Sequence, residues 1–504
     1  MALKISKVLI SDKINLSCKE LLEKNSIEVD YKPGLSKEDI TSIIENYDAL
    51  IIRSATKVTA EIFKHAKNLK LVGRAGTGVD NIDLEAASSH GVLVMNTPSG
   101  NTLSAAEHTC ALIAACARNI GQGYASMLDG KWDRSKLMGC ELMGKTLAIV
   151  GLGRIGREVA HRMQSYGMKT IGFDPLVSKE EADKFGVEYM PLEEIWPLAD
   201  FVTVHVPLIP PTKGMINTKV FDRCKPSMKV INVARGGIID EADLLAALNS
   251  GKCGGAALDV FVTEPPQGVS LDLVKHPKVL STPHLGASTV EAQLRVAREI
   301  AQQIVDAVNG KAMVGLVNAP ALSDSSNPVY IPWIAVAENL GKLFNSSDTQ
   351  VNLFTNYEST CGVAKLMAAA FSLGIVKREN PLANLINATS LLKKAGVQVQ
   401  LLHHNHEAIS IAVDGKEVLS GVVVNGKPAL SSFGCVQLCS PVVMTANLVT
   451  ASSTSLSPSA LMKMFNSIEI SCISTGSCGS TSVAVASVEG SVNNLQDPLT
   501  FIEL

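Results

Sequence analysis

Short apolar runs alternate with amphipathic stretches through the first part of the chain. KVLIS (7–11), IEVDY (27–31), ALIIR (49–53), LKLVGR (69–74) and GVLVMN (91–96) have the length and apolar content of buried strands. Between them, LSCKELLEK, SKEDITSIIENY and AEIFKHA repeat apolar residues at helical spacing. This rhythm predicts a small parallel sheet with helices on both faces. From Asn101, TLSAAEHTCALIAACARNIGQGYASM predicts one long helix. Six further strand candidates follow: TLAIV (146–150), KTIGF (169–173), FVTVH (201–205), KVINV (229–233), AALDV (256–260) and KVLS (278–281). Helix-length segments separate them, as in a doubly wound nucleotide-binding sheet. Residues 287–310 then read as one amphipathic helix.

The texture changes near residue 319, where glycine-punctuated alternation such as AISIAVDGKEVLSGVVVNGKPAL replaces the helix-strand rhythm. Residues 319–440 are expected to form an α+β domain. Residues 441–504 read as strand, helix (SALMKMF), two strands (IEISCIS, SVAVASV) and a polar tail. A second α/β unit carrying the nucleotide signature implies an insertion. The expected division is 1–98 with 285–318, then 99–284, 319–440 and 441–504.

A net charge of −3 supplies no global field for nucleic acid or anionic lipid, so any anion site must be local. MALKISKVLISD has neither the apolar core of a secretory signal nor the Arg/Ser-rich look of a transit peptide. No apolar run approaches the ~20 residues that cross a bilayer. Eleven cysteines, an odd number without a CxxC pair, fit a reduced cytoplasmic protein. HHNH at 403–406 has no carboxylate or cysteine at ligand spacing, so it reads as loop histidines and no metal is expected.

GLGRIG (151–156) follows the strand TLAIV and opens the helix REVAHRMQSYG. In that context Gly151 makes the turn, Gly153 admits a pyrophosphate to the backbone, and Gly156 lets helix and strand touch. The helix start offers unpaired N–H groups to the anion. Asp174 ends the next strand, where a carboxylate accepts from ribose hydroxyls and repels a 2′-phosphate, which favours NAD.

Ligands of such sheets bind outside the carboxyl ends of the strands. Arg235, Glu264 and His284 all follow strands at that edge. Each alone reads as an ordinary loop or ion-pair residue. Together they suit hydride transfer: His284 takes the alcohol proton, Glu264 orients it, and Arg235 binds a carboxylate beside the reacting carbon. A 2-hydroxy or 2-oxo acid is therefore expected. Arg53 and Arg74 end two strands of the first unit, beside Gly76 and Gly78. With Arg134 they suggest a second anionic group on the substrate, most simply a phosphate.

RAGTGVDNID, NTPSGNTLSAAEHT, GKTLAIVGLGRIGREVA, INVARGGIIDE, AALDVF with TEPP, and PHLGAST resemble the D-isomer-specific 2-hydroxyacid dehydrogenases, most closely their animal-type long forms. The resemblance implies an NAD-binding doubly wound domain inserted in a flavodoxin-like substrate domain, followed by α+β C-terminal domains. It implies oxidation of 3-phosphoglycerate by NAD, with Arg235, Glu264 and His284 catalytic. Cofactor contacts would come from Thr77, Gly151, Gly153, Arg154, Ile155, Gly156, Asp174, Val206, Val233, Ala234, Asp259 and Gly286. Val206 stands where relatives carry threonine. Arg53, Arg74, Gly76 and Arg134 would surround substrate, in a homodimer or homotetramer built through nucleotide-domain helices. Residues 441–504 resemble a βαββ piece of an ACT-type domain whose closing strand is absent or unrecognisable in the sequence. Two other readings share these residues: a glyoxylate or hydroxypyruvate reductase, and an NAD-sensing corepressor-like scaffold.

Overall fold

In the computed structural model, which describes residues 3–344, 349–356, 360–444, 447–465, 468, 470–488 and 499–502, all five runs expected in the first part form strands. They are β1 (Lys7–Ile10), β2 (Glu28–Tyr31), β3 (Ala49–Ile52), β4 (Leu71–Arg74) and β5 (Leu93–Asn96). All are parallel, in the order β2-β1-β3-β4-β5, the flavodoxin-like arrangement. Leu9, Leu50, Ile52, Val72 and Val94 bury one face beneath Ile40, Ile62 and Phe63. Local chemistry starts the helices: Ser36 accepts from the Asp39 N–H while Asp39 reaches back to the Ser36 N–H, a capping box.

Seven parallel strands follow: β6 (Thr146–Val150), β7 (Lys169–Phe173), β8 (Glu188–Tyr189), β9 (Phe201–Val204), β10 (Lys229–Asn232), β11 (Gly255–Leu258) and β12 (Val279–Ser281). Their order is β12-β11-β10-β9-β6-β7-β8, so the sheet switches direction between β6 and β9. Alternate residues fill two cores. Ala148, Val150, Val202, Val204 and Val230 face one side; Leu147, Ile149, Phe201 and Ile231 face the other. That is why these strands read as unbroken apolar runs. The edge strand β8 was not expected, because two residues are too few to show alternation. The single helix expected after Asn101 is instead two, Thr102–Ala117 and Ile120–Leu128. Asn119 takes a left-handed conformation between them (φ +50°), which asparagine tolerates better than most residues.

The helix Val290–Val308 carries the chain onward, and its later part packs on the first sheet. Ile300 lies against Gly73 of β4, where an added Cβ would stand 2.9 Å from its side chain. Two compact units result: Pro98–Val296, and Met1–Thr97 with Ala297–Leu504.

Beyond the helix, a six-stranded mixed sheet holds β13 (Gln350–Asn356), β14 (Gln398–His404), β15 (Ile409–Val413), β16 (Lys416–Val424), β17 (Lys427–Phe433) and β18 (Val436–Val443). Their order is β14-β13-β15-β16-β17-β18, and only β13 and β14 are parallel. His403 and His404 belong to β14 rather than to a loop, and His403 bonds Thr355 across the pair. A four-stranded sheet of β19 (Asn447–Ser453), β20 (Ile470–Cys478), β21 (Thr481–Val488) and β22 (Leu499–Ile502) follows, in the order β20-β21-β19-β22. Of the two alternatives for the closing strand, the structure bears out the unrecognisable one: β22 pairs antiparallel with β19. Four residues in a polar tail are too short a run to declare themselves.

Candidate active site

The turn after β6 shows three glycines used in three ways. Gly151 has φ +96°, and a Cβ there would stand 2.5 Å from the His205 carbonyl oxygen. A Cβ on Gly156 would stand 2.1 Å from the Gly151 carbonyl oxygen, so helix and strand touch only without it. A Cβ added to Gly153 would meet nothing within 4 Å, so the backbone there is open to approach. The helix Arg154–Gln164 begins there without a side-chain cap, leaving its first N–H groups for an anion. Arg154 stands at that first turn, its guanidinium bonded to the Pro98 carbonyl, with Ile155 beside it. Asp174 follows β7, accepting from the Leu152 and Leu176 N–H groups. Each oxygen keeps a lone pair for a ribose hydroxyl. A dinucleotide fits this edge, and Val206 lines the glycine turn with its apolar side chain.

After β10, the buried Asn232 side chain fixes the next loop. It donates to the Arg235 carbonyl and accepts from the Ala234 N–H. Gly236 then meets backbone: a Cβ there would stand 2.0 Å from the Phe261 carbonyl oxygen. The space beside this glycine is thus taken by the backbone of the loop that leads to Glu264. Arg235 and Glu264 are brought into adjoining loops.

His284 donates from Nδ1 to Glu264 Oε2 at 2.8 Å, leaving Nε2 as the free acceptor. Both side chains are partly exposed. Partial burial pushes the Glu264 carboxyl up. The His284 hydrogen bond and the Phe261 N–H outweigh it and hold the group below the usual carboxylate range. His284 itself has φ +54°, a costly conformation for a residue with a Cβ. Asp259 holds it there. Its carbonyl accepts from His284 N–H, and its fully buried carboxylate accepts from Thr282 Oγ1, Leu285 N–H, Gly286 N–H and His108. Burial pushes the Asp259 carboxyl up, but these donors keep it ionised and lowered overall. Asp259 was expected as a cofactor contact; its carboxylate is occupied in clamping the His284 loop. Gly286 packs on Val233 within the same clamp.

Sequence reasoning missed His108, Asn232 and Glu241. Glu241 accepts from the Val262 N–H at 2.7 Å and from Ser270 Oγ at 2.5 Å, bracing the loop that carries Glu264. The only signal was its place in INVARGGIIDE.

In the other unit, Arg53 and Arg74 stand at the carboxyl ends of neighbouring strands, since Ile52 and Arg74 are register partners. Burial pushes the Arg53 guanidinium below its ordinary value, against the pull of Asp12. Asp12 spends its oxygens on the Arg53 and Thr56 N–H groups and on Thr56 Oγ1, not on the guanidinium. A half-buried cation so placed gains from an anionic ligand. The Arg74 guanidinium crosses Gly76, whose added Cβ would stand 2.1 Å from Nη1. Thr77 follows, bonded to the Thr97 carbonyl. Arg134 lies in an exposed turn of the Pro98–Val296 unit.

Residues 110–286 match the family of the D-isomer specific 2-hydroxyacid dehydrogenase, NAD binding domain. The chain is 50% identical over 453 residues to the D-3-phosphoglycerate dehydrogenase of Homo sapiens, covering 88% of this chain and 83% of that protein. Among solved structures, it is similar to the TT0316 protein of Thermus thermophilus, with 32% identity, TM-score 0.56, and coverage of 62% and 99%. It is also similar to D-lactate dehydrogenase from Aquifex aeolicus complexed with NAD and lactic acid, with 26% identity, TM-score 0.54, and coverage of 60% and 96%.

Proposed function

The chain belongs to the D-isomer-specific 2-hydroxyacid dehydrogenases, and from that premise we propose that it oxidises D-3-phosphoglycerate to 3-phosphohydroxypyruvate. It is an NAD-dependent dehydrogenase. The reaction would open the phosphorylated route to L-serine. The observation that carries the mechanism is the His284–Glu264 hydrogen bond through Nδ1, because it fixes which nitrogen can take a proton.

NAD, when bound, supplies the acceptor for the hydride from the substrate carbon. Gly151, Gly153, Gly156 and the uncapped helix start would hold its pyrophosphate, and Asp174 its ribose. His284 Nε2 takes the hydroxyl proton. The ionised Glu264 accepts from Nδ1–H and stabilises the imidazolium that forms. Arg235 binds the carboxylate with its planar fork and polarises the developing carbonyl. Arg53 and Arg74, with Arg134, take the phosphate. The likeness to a D-3-phosphoglycerate dehydrogenase along most of the chain supports that substrate.

The same reading makes the protein a homodimer or homotetramer of the cytoplasm. Ile120, Tyr124, Met127 and Leu128 expose one apolar helix, with Trp132 and Met138 exposed in the segment that follows. Such a patch supports self-association. Among the described residues no helix is long and apolar enough to cross a membrane, and the cysteines are free. The separate core of Val449, Leu461, Phe465 and Ala484 supports a distinct last domain, which begins after β18 ends at Val443 rather than at 441.

The test compares NADH formation from NAD and 3-phosphoglycerate, at alkaline pH with the keto product trapped, against NADH consumption with glyoxylate and hydroxypyruvate. Strong preference for the phosphorylated acid is expected. Turnover of the unphosphorylated acids alone would keep the site and overturn the substrate.

A further inference from the structure

The two C-terminal sheets meet edge to edge, and a pair of cysteines lies at one end of the contact. Ser440 of β18 donates its N–H to Ser474 Oγ of β20 at 3.0 Å. Further along, Gly476 presses on the Gln437 backbone, where an added Cβ would stand 2.2 Å from the carbonyl oxygen. Moving down β18 from Ser440 to Gln437 thus means moving up β20 from Ser474 to Gly476. The edges run antiparallel although they belong to different sheets.

Continuing in that register reaches Cys435, in the turn between β17 and β18, opposite Cys478, the last residue of β20. The neighbouring Cys435 thiol is the main cause holding the Cys478 thiol above its ordinary value. Both are exposed, and both sit beside turns that can adjust to bonding geometry.

We propose that Cys435 and Cys478 are a redox-responsive pair that forms a reversible disulfide when the protein meets hydrogen peroxide or an organic hydroperoxide. The Cys435 thiolate attacks a peroxide oxygen; an S–O bond forms, the O–O bond breaks, and water or an alcohol leaves. The Cys478 sulfur then attacks the sulfenic sulfur. An S–S bond forms, the S–O bond breaks, and the hydroxyl leaves as water with the Cys478 proton. Two thiols and one peroxide give one disulfide, with two electrons passed to oxygen. A dithiol reverses it by exchange. The product staples the six-stranded sheet to the four-stranded one, locking an edge contact that otherwise rests on Ser440, Ser474 and Gly476.

The test treats the full-length protein with hydrogen peroxide, alkylates the remaining thiols under denaturing conditions, and maps the peptides by mass spectrometry. The expected product joins the Cys435 and Cys478 peptides, lighter by two hydrogen atoms than the pair of thiols, and dithiothreitol restores both. Cys439, exposed on the same strand as the contact, should remain alkylated. In Cys478→Ser, Cys435 should accumulate as a sulfenic acid that dimedone traps. Both sites are exposed, so the variant should fold, which an unchanged circular dichroism spectrum would verify. Alkylation of Cys435 and Cys478 after excess peroxide would overturn the pairing. So would a mapped disulfide from either residue to Cys439, Cys472 or a second copy of the chain.

Discussion

The two parallel sheets are built by the same physics and end in different chemistry. Both reverse direction once, between β1 and β3 in one and between β6 and β9 in the other, and both present loops beyond their carboxyl ends. The β6–β12 sheet spends many interactions on orientation. Asp259 commits its carboxylate to the His284 loop, Asn232 pins the Arg235 turn, and Glu241 braces the Glu264 loop. The β1–β5 sheet orders its loop backbone too, through Asp12 and Asn81, but the Arg53 guanidinium itself donates a long 3.4 Å bond to the Lys13 carbonyl. The difference follows from the tasks. A proton must leave along one lone pair, so the base needs fixed geometry. A doubly charged phosphate is held by cations over a broad range of geometries, so charge matters more than angle.

The contrast fails first at His284. Replacement by alanine should lower kcat by ~10²–10⁴-fold, the range for a general base. NAD binding, followed by quenching of protein fluorescence, should be unchanged. Near-normal turnover would remove His284 as the proton acceptor and leave the clamp around it without a purpose. Next in size is the cationic edge. Arg53→Ala and Arg74→Ala should each lower kcat/KM for 3-phosphoglycerate by about 10–100-fold, the value of a hydrogen bond to a charged group. The same variants should leave glyoxylate and hydroxypyruvate reduction nearly unchanged. Equal losses on both substrate types would move these arginines from phosphate binding to the support of the fold. Smaller again is Arg235→Lys. An ammonium cannot reproduce the fork, so KM for every 2-oxo acid should rise about tenfold while NAD binding holds. A fall in kcat alone would place the fork's role in the transition state.

The same contrast explains what could be read from the chain. Strands such as ALIIR and TLAIV are buried on both faces and announce themselves as apolar runs. GLGRIG declares its site because two of its three glycines are required by contacts of its own turn and the strand end beside it. Arg235, Glu264 and His284 were visible because each follows a strand by a few residues. Their supports were not. Asp259 was named only through the family resemblance, and the donors that fold onto its carboxylate leave no mark in the sequence. His108 lies on a helix far away in sequence, and Glu241 acts through a backbone N–H that no pattern marks. Short edge strands escaped for another reason: β8 and β22 pair through their backbones, and two or four residues carry too little periodicity.

The smallest effect concerns a histidine that takes no part in the chemistry. His205 follows β9 and bonds Thr203 Oγ1 through Nε2, while burial pushes its imidazole down to about 4 from 6.5. A histidine lowered on folding is neutral in the folded chain and protonates first in the unfolded one. Between pH 6.5 and about 4 the unfolded chain therefore binds more protons, so stability rises with pH through this window and is lost as pH falls. At pH 5 the loss should be about 1–2 kcal/mol. His276 shifts in the same direction, by burial and by the charge of Lys278, and it remains in place when His205 alone is changed. The lowered carboxyls of Asp30, Asp48, Glu180, Asp200, Asp259 and Glu264 act at the acid end of this window and below it, and they remain in place when His205 alone is changed. Urea unfolding at pH 7.5 and pH 5, for the wild type and for His205→Gln, separates the contribution. The glutamine variant should show the flatter dependence on pH. Parallel slopes would mean that His205 is hydrated in the folded chain, and that the β6–β12 sheet holds no titratable group of this kind beside its glycine turn.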